Sequence, residues 1–188
     1  MIYCDVGCCI GELLQYYSKM MSFGYAFEPN SGNYEYLKKE YSDKNVVLEN
    51  MAVSSDCGSI DFLSTERVGD HCSRNIKYSS EATNSPSYFA VPTPCVSLDE
   101  YFKDKKVDFI KIDVEGGEWD VLHGAKKLMK DKNIIFQVEF HEPDDWHQRQ
   151  FIYDNGYEIY SLDLEKYERD CSRPYQAFLI KEEGVLNG

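Results

Sequence analysis

The chain has 188 residues, of which 43% are hydrophobic and 14% aromatic, so it is long and apolar enough to build one folded core. Its 33 acidic and 20 basic side chains give a net charge of −13, which repels phosphate backbones and argues against nucleic acid as a partner. No apolar run approaches the roughly 18 residues of a membrane span, and residues 1–5 do not resemble a signal peptide. Seven cysteines without a CxxC pair predict free thiols, and we expect a cytoplasmic protein with no membrane partner.

Short apolar runs alternate with amphipathic stretches along the chain, a pattern that predicts an α/β fold with a mainly parallel sheet. The predicted strands share this apolar character and cover residues 2–6, 24–27, 46–53, 59–64, 107–112, 133–140, 157–162 and 177–180. The last two strands are expected to form an antiparallel pair at the edge of the sheet. Helices are predicted at residues 10–21, 31–41, 118–130 and 143–155, and a short helix is predicted to start at the capping box of residues 97–100.

Residues 65–95 are polar and irregular, and a loop of this length inside a compact domain is usually functional or mobile. We interpret it as a substrate lid with His71, Arg74 and Tyr78 as acceptor-binding residues, and a plain flexible insertion remains the alternative. The chain is expected to be a single domain, residues 1–188. Because its first strand begins almost at residue 1, we also expect a domain cut from a longer protein, or a minimal version.

The ends of the first two strands predict a nucleotide-type cofactor site. Ligands of open α/β sheets bind beyond the carboxyl ends of the strands. Gly7 allows a tight turn there, and the carboxylate of Asp5 suits the ammonium or sulfonium of S-adenosylmethionine (SAM). A dinucleotide prefers a G-x-G-x-x-G turn, which this segment lacks. Glu28, 21 positions after Gly7, is placed to bind a ribose diol, and Asn30 can cap the following helix.

The next two strand ends supply a polar pocket and a group of acids. Asn50 and Ala52 lie in the last part of the third strand and could receive an adenine ring. Asp113 follows the fully apolar strand at 107–112, and its carboxylate is hard to explain as a solubilising group. Glu115 and Glu118 stand near a helix start, where the helix dipole favours negative charge.

The strand at 133–140 carries Glu139, whose carboxylate needs a partner inside an apolar strand: Lys111, a backbone donor or a metal. His141 lies at the strand exit, where its imidazole could take a proton.

Together these segments resemble the FkbM family of SAM-dependent methyltransferases over roughly residues 2–142. The order and the spacing of the motifs both agree with that family, although Cys8-Cys9 stands where the family commonly has Ala-Asn. The matching motifs are Asp5-Val-Gly7 with Gly11, Phe27-Glu28-Pro29-Asn30, Asn50-Met-Ala52-Val53-Ser54, Ser97-Leu98-Asp99, Phe109 to Glu118, Leu122-His-Gly124-Ala125, and Glu139.

The resemblance implies the class I SAM methyltransferase fold, a Rossmann-like seven-stranded, mostly parallel sheet with helices on both faces. It also implies SAM as the methyl donor and an O-methylated product. Acceptors in the family are often hydroxyls of sugars or natural products. The cofactor-binding residues expected from the resemblance and its motifs are Asp5, Gly7, Gly11, Glu28, Pro29, Asn30, Asn50, Ala52 and Asp113.

The catalytic residues are expected to be Asp113, Glu139 and His141, because a neutral hydroxyl needs a base or a metal to become a nucleophile. Either His141 or Asp113 takes the proton, or all three residues hold a divalent cation such as Mg²⁺ or Mn²⁺. Glu115 joins the lid residues as a candidate substrate contact.

The expected acceptor is a sugar hydroxyl, on a deoxysugar such as rhamnose that is free, nucleotide-linked or part of a glycan. The alternatives are a non-sugar natural product as the acceptor, a non-catalytic SAM-fold binding module, or an NAD-dependent oxidoreductase. Fusion to a glycosyltransferase or another domain is expected in the full-length protein.

Overall fold

The computed structural model of the protein describes residues 1–42, 44–69 and 88–182. Within these ranges the chain forms ten strands and five α-helices, and a short 3-10 turn at Leu128–Lys130. The strands are β1 (Ile2–Val6), β2 (Phe23–Phe27), β3 (Val46–Glu49), β4 (Ala52–Val53), β5 (Gly58–Thr65), β6 (Tyr88–Val96), β7 (Phe109–Ile112), β8 (Ile135–Glu139), β9 (Glu158–Tyr160) and β10 (Gln176–Ile180). The helices are α1 (Leu14–Met20), α2 (Ser31–Glu40), α3 (Leu98–Tyr101), α4 (Glu118–His123) and α5 (Trp146–Asp154).

The main sheet has seven strands in the order β3-β2-β1-β7-β8-β10-β9. Its first five strands are parallel, and β10 runs antiparallel to both β8 and β9. The predicted mostly parallel sheet and its antiparallel last pair are therefore confirmed. The strand order reverses between β1 and β7, which is where a sheet of this kind opens a crevice for a ligand.

Helices cover both faces of the sheet, as predicted, and this explains the nearly continuous apolar runs of its central strands. On one face, Cys4 and Ile110 pack in a cluster with Leu122 of α4 and Ile152 of α5. On the other face, Tyr3, Ala26 and Phe109 pack against Leu14 of α1 and Leu37 of α2. Among the helices of the described ranges, none combines the length and the apolar composition needed to cross a bilayer.

The predicted third strand at 46–53 is divided between two sheets. β3 ends at Glu49, and β4 joins β6 and β5 in a separate three-stranded sheet of order β4-β6-β5. The break falls at Asn50, whose side-chain amide donates to the carbonyl oxygens of Glu28 (2.9 Å) and Pro29 (3.3 Å). In the sequence, one apolar run does not show whether it forms a single strand or two short ones.

The predicted lid loop at 65–95 is shorter than expected, because residues 88–95 belong to β6 and pair antiparallel with β5. From the sequence alone, the two prolines in this stretch, Pro92 and Pro94, indicate a loop rather than a strand. Ser54 N donates to Val96 O, so residues 92, 94 and 96 turn their backbone polar groups toward the β4 side of the strand. β4 pairs only with Cys95 and Val96, so Pro92 and Pro94 lie on an unpaired stretch of that edge, where prolines are tolerated.

Three predicted helices are also shorter than expected, and the one predicted at 10–21 spans Leu14–Met20. The helix predicted at 118–130 ends at His123, and the next residue, Gly124, packs so closely that a Cβ on it would lie 2.2 Å from the carbonyl oxygen of Ser54. The close packing of this glycine against the end of β4 was not visible in the periodicity. The helix predicted from residue 143 begins at Trp146, capped by Asp145, whose carboxylate accepts from His147 N at 2.7 Å.

Candidate cofactor and active site

A cavity of about 380 Å³ lies at the carboxyl ends of β1, β2 and β7, where the strand order reverses. Its lining carries six carboxylates and one ammonium. These charged residues are Asp5, Glu12, Glu28, Asp113, Glu115 and Glu139 on the acidic side and Lys111 on the basic side. Such a lining favours a ligand with cationic groups and opposes a pyrophosphate.

Glu28 follows the last residue of β2 and is 5% exposed. Its Oε2 accepts from the backbone N–H of Cys9 (2.8 Å), and its Oε1 accepts from that of Asn30 (2.9 Å). Burial raises the pKa of Glu28 to about 7, and the hydrogen bonds from Asn30 and Cys9 limit the rise. The carboxylate is thus held in one orientation at the wall of the cavity, with lone pairs left for a diol.

The turn after β1 brings the backbone close to β7. Gly7 has φ +79°, and a Cβ on it would lie 1.9 Å from the carbonyl oxygen of Asp113, so no other residue fits. Cys9 has φ +49° and turns its N–H toward Glu28. The departure from Ala-Asn at residues 8 and 9 therefore leaves in place the contact between this turn and Glu28, because the backbone makes it.

Lys111 joins the two acids that end β1 and β7. Lys111 and Asp5 are direct partners in the parallel register, so their side chains share one face of the sheet. The Lys111 Nζ lies 3.2 Å from Asp5 Oδ1 and 3.2 Å from Asp113 Oδ2, and it donates to Gly7 O at 3.1 Å. Burial raises the pKa of Asp5, and the nearby ammonium only partly offsets this. Lys111 was a predicted partner for Glu139, but the structure pairs it with Asp5 and Asp113.

Four carboxylates surround His141. Its Nδ1 lies 3.0 Å from Glu118 Oε1, and its Nε2 lies 3.2 Å from Glu115 Oε2, 3.6 Å from Glu139 Oε1 and 3.9 Å from Asp113 Oδ1. Burial alone would lower the His141 pKa, but the Glu118 hydrogen bond and the neighbouring negative charges raise it to about 9. In the protein alone the imidazole is therefore protonated at neutral pH, whereas a general base must be neutral.

Glu118 is fully buried and also accepts from the backbone N–H of Gly116 at 2.9 Å. Sequence reasoning explains Glu118 only by the helix dipole and misses its contact with His141. An acid among the first buried residues of a helix, rather than on its solvent side, was the available signal.

Two further partners of Glu139 lie at the start of β10 and immediately before it. Gln176 Nε2 donates to Glu139 Oε2 at 2.5 Å, and the hydroxyl of Tyr175 also hydrogen-bonds to this carboxylate. The expectation of a partner for Glu139 is confirmed, but both donors come from a segment in which the sequence carried no recognisable motif.

Asp113, Glu139 and His141 form a group that could hold a metal ion. One ligand atom from each lies within 4.8 Å of the others. The three side chains are partly exposed, so an ion has access to them.

The family profile for the methyltransferase FkbM domain matches residues 5–159. The chain belongs to this family. Its members are SAM-dependent methyltransferases, and the cavity lies at the strand-order reversal, where open α/β sheets bind their ligands. No curated protein is significantly similar to the chain.

The fold of the chain is similar to that of a solved FkbM methyltransferase structure. Methyltransferase FkbM from Methylobacillus flagellatus KT matches with a TM-score of 0.62 and 15% identity, over 94% of this chain and 42% of that one. A TehB-like SAM-dependent methyltransferase from Corynebacterium glutamicum gives 0.48 and 13%, over 96% and 80% of the two chains. TrmK from M. capricolum, in complex with S-adenosylhomocysteine, gives 0.48 and 13%, over 97% and 62%. The chain spans less than half the length of the FkbM structure.

Three predicted cofactor residues of this FkbM domain lie behind the cavity wall. Gly11, at φ +83°, packs against α2, where a Cβ would meet Leu37 and Tyr41 at 2.9 Å. Asn30 caps α2 by accepting from Asn33 N at 2.9 Å, which confirms the capping prediction. Asn50, bonded to the backbone on either side of Pro29, lines a neighbouring cavity together with Asn30.

The other predicted cofactor residues line the cavity itself. They are Asp5, Gly7, Glu28, Pro29, Ala52 and Asp113. Next to Ala52, the side chains of Met51, Ile60 and Phe62 add an apolar wall suited to a flat ring, and sequence reasoning missed it. The last two come from β5, which the sequence predicted as a strand but could not place beside the cofactor turn.

Of the predicted acceptor contacts, Glu115 lines the cavity. Its backbone has φ +57°, and the next residue, Gly116, has φ +96°, so this tight turn aims the Glu115 carboxylate toward His141. His71, Arg74 and Tyr78 lie outside the described residues.

Proposed function

We propose that this FkbM domain transfers a methyl group from SAM to a hydroxyl, and that the acceptor is a sugar. The observation that carries the proposal is the buried Glu28 carboxylate, held by two backbone N–H groups at the wall of a cavity with six carboxylates and one ammonium. SAM offers a ribose diol to Glu28 and two cationic groups to the remaining acids. NAD offers the same diol but brings a pyrophosphate into an acidic cavity, which costs Coulomb energy.

The reacting groups would meet at the ends of β7 and β8. Methyl transfer is an in-line displacement in which the acceptor oxygen forms a bond to the methyl carbon as the carbon–sulfur bond breaks. Alignment of the two reactants is the largest task for the protein. Lys111 of β7 holds Asp113 by an ion pair. Tyr175 and Gln176, at the start of the β10 segment, hold Glu139 by hydrogen bonds. An acceptor hydroxyl between these two carboxylates would donate its proton to one of them.

We further propose that Asp113, Glu139 and His141 bind Mg²⁺ or Mn²⁺. The metal–ligand distance of about 2.1 Å requires neighbouring ligand atoms roughly 3 Å apart and opposite ones roughly 4 Å apart. His141 Nε2 lies 3.6 Å from Glu139 Oε1 and 3.9 Å from Asp113 Oδ1, which fits one shared cation. A bound cation would acidify the acceptor hydroxyl.

Two measurements test the metal. Mn²⁺ titration followed by electron paramagnetic resonance should show one site in the wild type and none in His141→Ala. Treatment with EDTA should abolish methyl transfer, and Mg²⁺ should restore it. Full activity after EDTA would exclude a role for the metal in the reaction, and Asp113 or Glu139 would then be the proton acceptor.

The transfer itself is tested with SAM labelled in its methyl group. The protein is incubated with free sugars, nucleotide sugars, glycans and non-sugar hydroxyl compounds, and we expect label in a sugar fraction as an alkali-stable ether. Asp113→Asn should lose this incorporation. Label found only in non-sugar compounds would contradict a sugar acceptor. Label on nitrogen or carbon would contradict O-methylation.

We also propose a cytoplasmic location. The support is the free thiol state of Cys4, Cys8, Cys57 and Cys171, which suits a reducing compartment.

A further inference from the structure

Tyr175 lies at the active edge of the sheet although it follows the segment that matches the family profile, residues 5–159. β10 pairs antiparallel with β8, with Gln176 opposite Glu139, and Phe140 N donates to Tyr175 O at 2.7 Å. Because β10 runs against β8, its first residues meet the carboxyl end of β8. The topology therefore places Tyr175 beside Glu139 and His141.

The Tyr175 side chain contacts His141 and Glu139, and much of its ring is exposed to solvent. Its ring centroid lies 5.3 Å from that of His141, with an interplanar angle of 79°, and its hydroxyl is bonded to the Glu139 carboxylate. The residue is nevertheless 54% exposed. A tyrosine with a bonded hydroxyl and an open ring offers an apolar surface next to hydrogen-bond acceptors.

The segment that carries Tyr175 is fixed by Arg173. The Arg173 guanidinium is buried, lies 4.1 Å from the centre of the Phe140 ring, and donates from Nη2 to Glu142 O at 2.6 Å. Its Nε lies 3.5 Å from Asp144 Oδ1. Tyr175 is thus an exposed ring on an anchored backbone, so a ligand that binds to it has little ordering cost to overcome.

The side chains around this ring select for a neutral, hydroxyl-rich ligand. Asp113, Glu115 and Glu139 line the cavity next to it, and ionised carboxylates only accept hydrogen bonds. A sugar ring has an apolar C–H face for the tyrosine and hydroxyls that donate to the carboxylates. Even with a divalent cation bound, the four carboxylates around His141 leave this site net negative, so a phosphate on the same sugar would be repelled.

We propose that Tyr175 is the platform of the acceptor site, and that the acceptor it holds is a neutral pyranoside rather than a nucleotide-linked sugar. This inference rests on the proposed function and specifies its acceptor. The hydroxyl of Tyr175 also orients Glu139, so the ring and the hydroxyl of one residue have separable roles.

Saturation-transfer NMR tests the platform with the protein in complex with S-adenosylhomocysteine. The probes are the methyl pyranosides of rhamnose, fucose and glucose, and the nucleoside-diphosphate forms of the same sugars. We expect saturation of ring protons in at least one methyl pyranoside, and weaker or no binding of its nucleotide form. Tyr175→Ala should weaken pyranoside binding by roughly 5-fold or more, and Tyr175→Phe should retain it.

Tyr16→Ala is the matched control, because Tyr16 is 56% exposed and does not line the cofactor cavity. It should bind the pyranoside as the wild type does, and all variants should keep the wild-type affinity for SAM. Tyr175→Leu, which keeps bulk without a ring, should behave as Tyr175→Ala does and serves if the alanine variant is unstable. In the labelled-SAM assay with the bound pyranoside, Tyr175→Phe should lower kcat with little change in KM, because only the support of Glu139 is lost.

Pyranoside binding that survives both Tyr175→Ala and Tyr175→Leu overturns the platform. So does the absence of pyranoside binding, or tighter binding of the nucleotide-linked form. If these results accompany intact SAM binding and methyl transfer to another hydroxyl, the acceptor inference fails and the O-methyltransferase proposal stands. If SAM itself does not bind, the proposed function fails first.

Discussion

Replacing Glu28 by glutamine should make the protein more stable and a poorer binder of SAM. The Glu28 pKa is about 7 in the folded chain against an ordinary value of 4.5, so ionised Glu28 costs the fold up to ~3 kcal/mol. The folded state holds the proton more tightly than the unfolded chain. The cost is therefore absent below pH 4.5, grows as the pH rises to 7, and is complete above it.

Near pH 4.5 the glutamine variant should be about 1 kcal/mol less stable than the wild type, because its amide nitrogen cannot accept one of the two backbone N–H bonds that the carboxyl accepts. At pH 8 the variant should still be more stable, by up to ~2 kcal/mol after the lost acceptor is subtracted, a rise in Tm of up to ~8 °C for a chain of this size. SAM affinity should fall by about 1.5–3 kcal/mol, roughly 10- to 150-fold, through the lost charge-assisted hydrogen bonds to the ribose.

Scanning calorimetry at the two pH values and titration calorimetry with SAM measure these effects. Glu12→Gln is the control, because Glu12 lines the same cavity but is exposed, and it should change both quantities little. A Glu28→Gln protein that is less stable at pH 8, or one that binds SAM as tightly as the wild type, would refute the reasoning.

Three further outcomes follow from the same site. Lys111→Met should lower the free energy of unfolding by about 3–5 kcal/mol in urea titrations, because it leaves Asp5 and Asp113 without their cation, and wild-type stability would contradict that pairing. Gly7→Ala should abolish SAM binding or folding, since its Cβ would overlap the Asp113 carbonyl, whereas Gly117→Ala has ordinary contacts of 3.5 Å and should fold normally by circular dichroism. SAM affinity of the wild type should rise between pH 6 and 8 as Glu28 ionises, and a flat profile in calorimetry would argue against its ribose role.

The sequence predicted the parts of the site that depend on local order. Asp5 lies near the end of one apolar strand, Glu28 and Asp113 directly follow two others, and parallel strands bring their carboxyl ends to one edge of a sheet. Strand identity and the ligand-binding edge could therefore be inferred without knowing any long-range contact.

The sequence could not predict contacts that depend on register and on antiparallel pairing. Lys111 reaches Asp5 because the two residues are direct partners in the β1–β7 ladder, and a shift of one residue would place them on opposite faces. Tyr175 and Gln176 reach Glu139 because β10 turns back along β8. The pairing of β6 could not be predicted either, because it also depends on a long-range contact. Its prolines are compatible with a strand only because the neighbouring β4 is so short.

The central claim is that the acidic cavity at the end of β1 binds SAM, with Glu28 on its ribose. Titration calorimetry of the wild type and Glu28→Gln with SAM, S-adenosylhomocysteine and NAD tests it most directly. We expect saturable binding of SAM and S-adenosylhomocysteine to the wild type, weaker binding of both to Glu28→Gln, and no binding of NAD. Saturable binding of NAD without binding of SAM would contradict it.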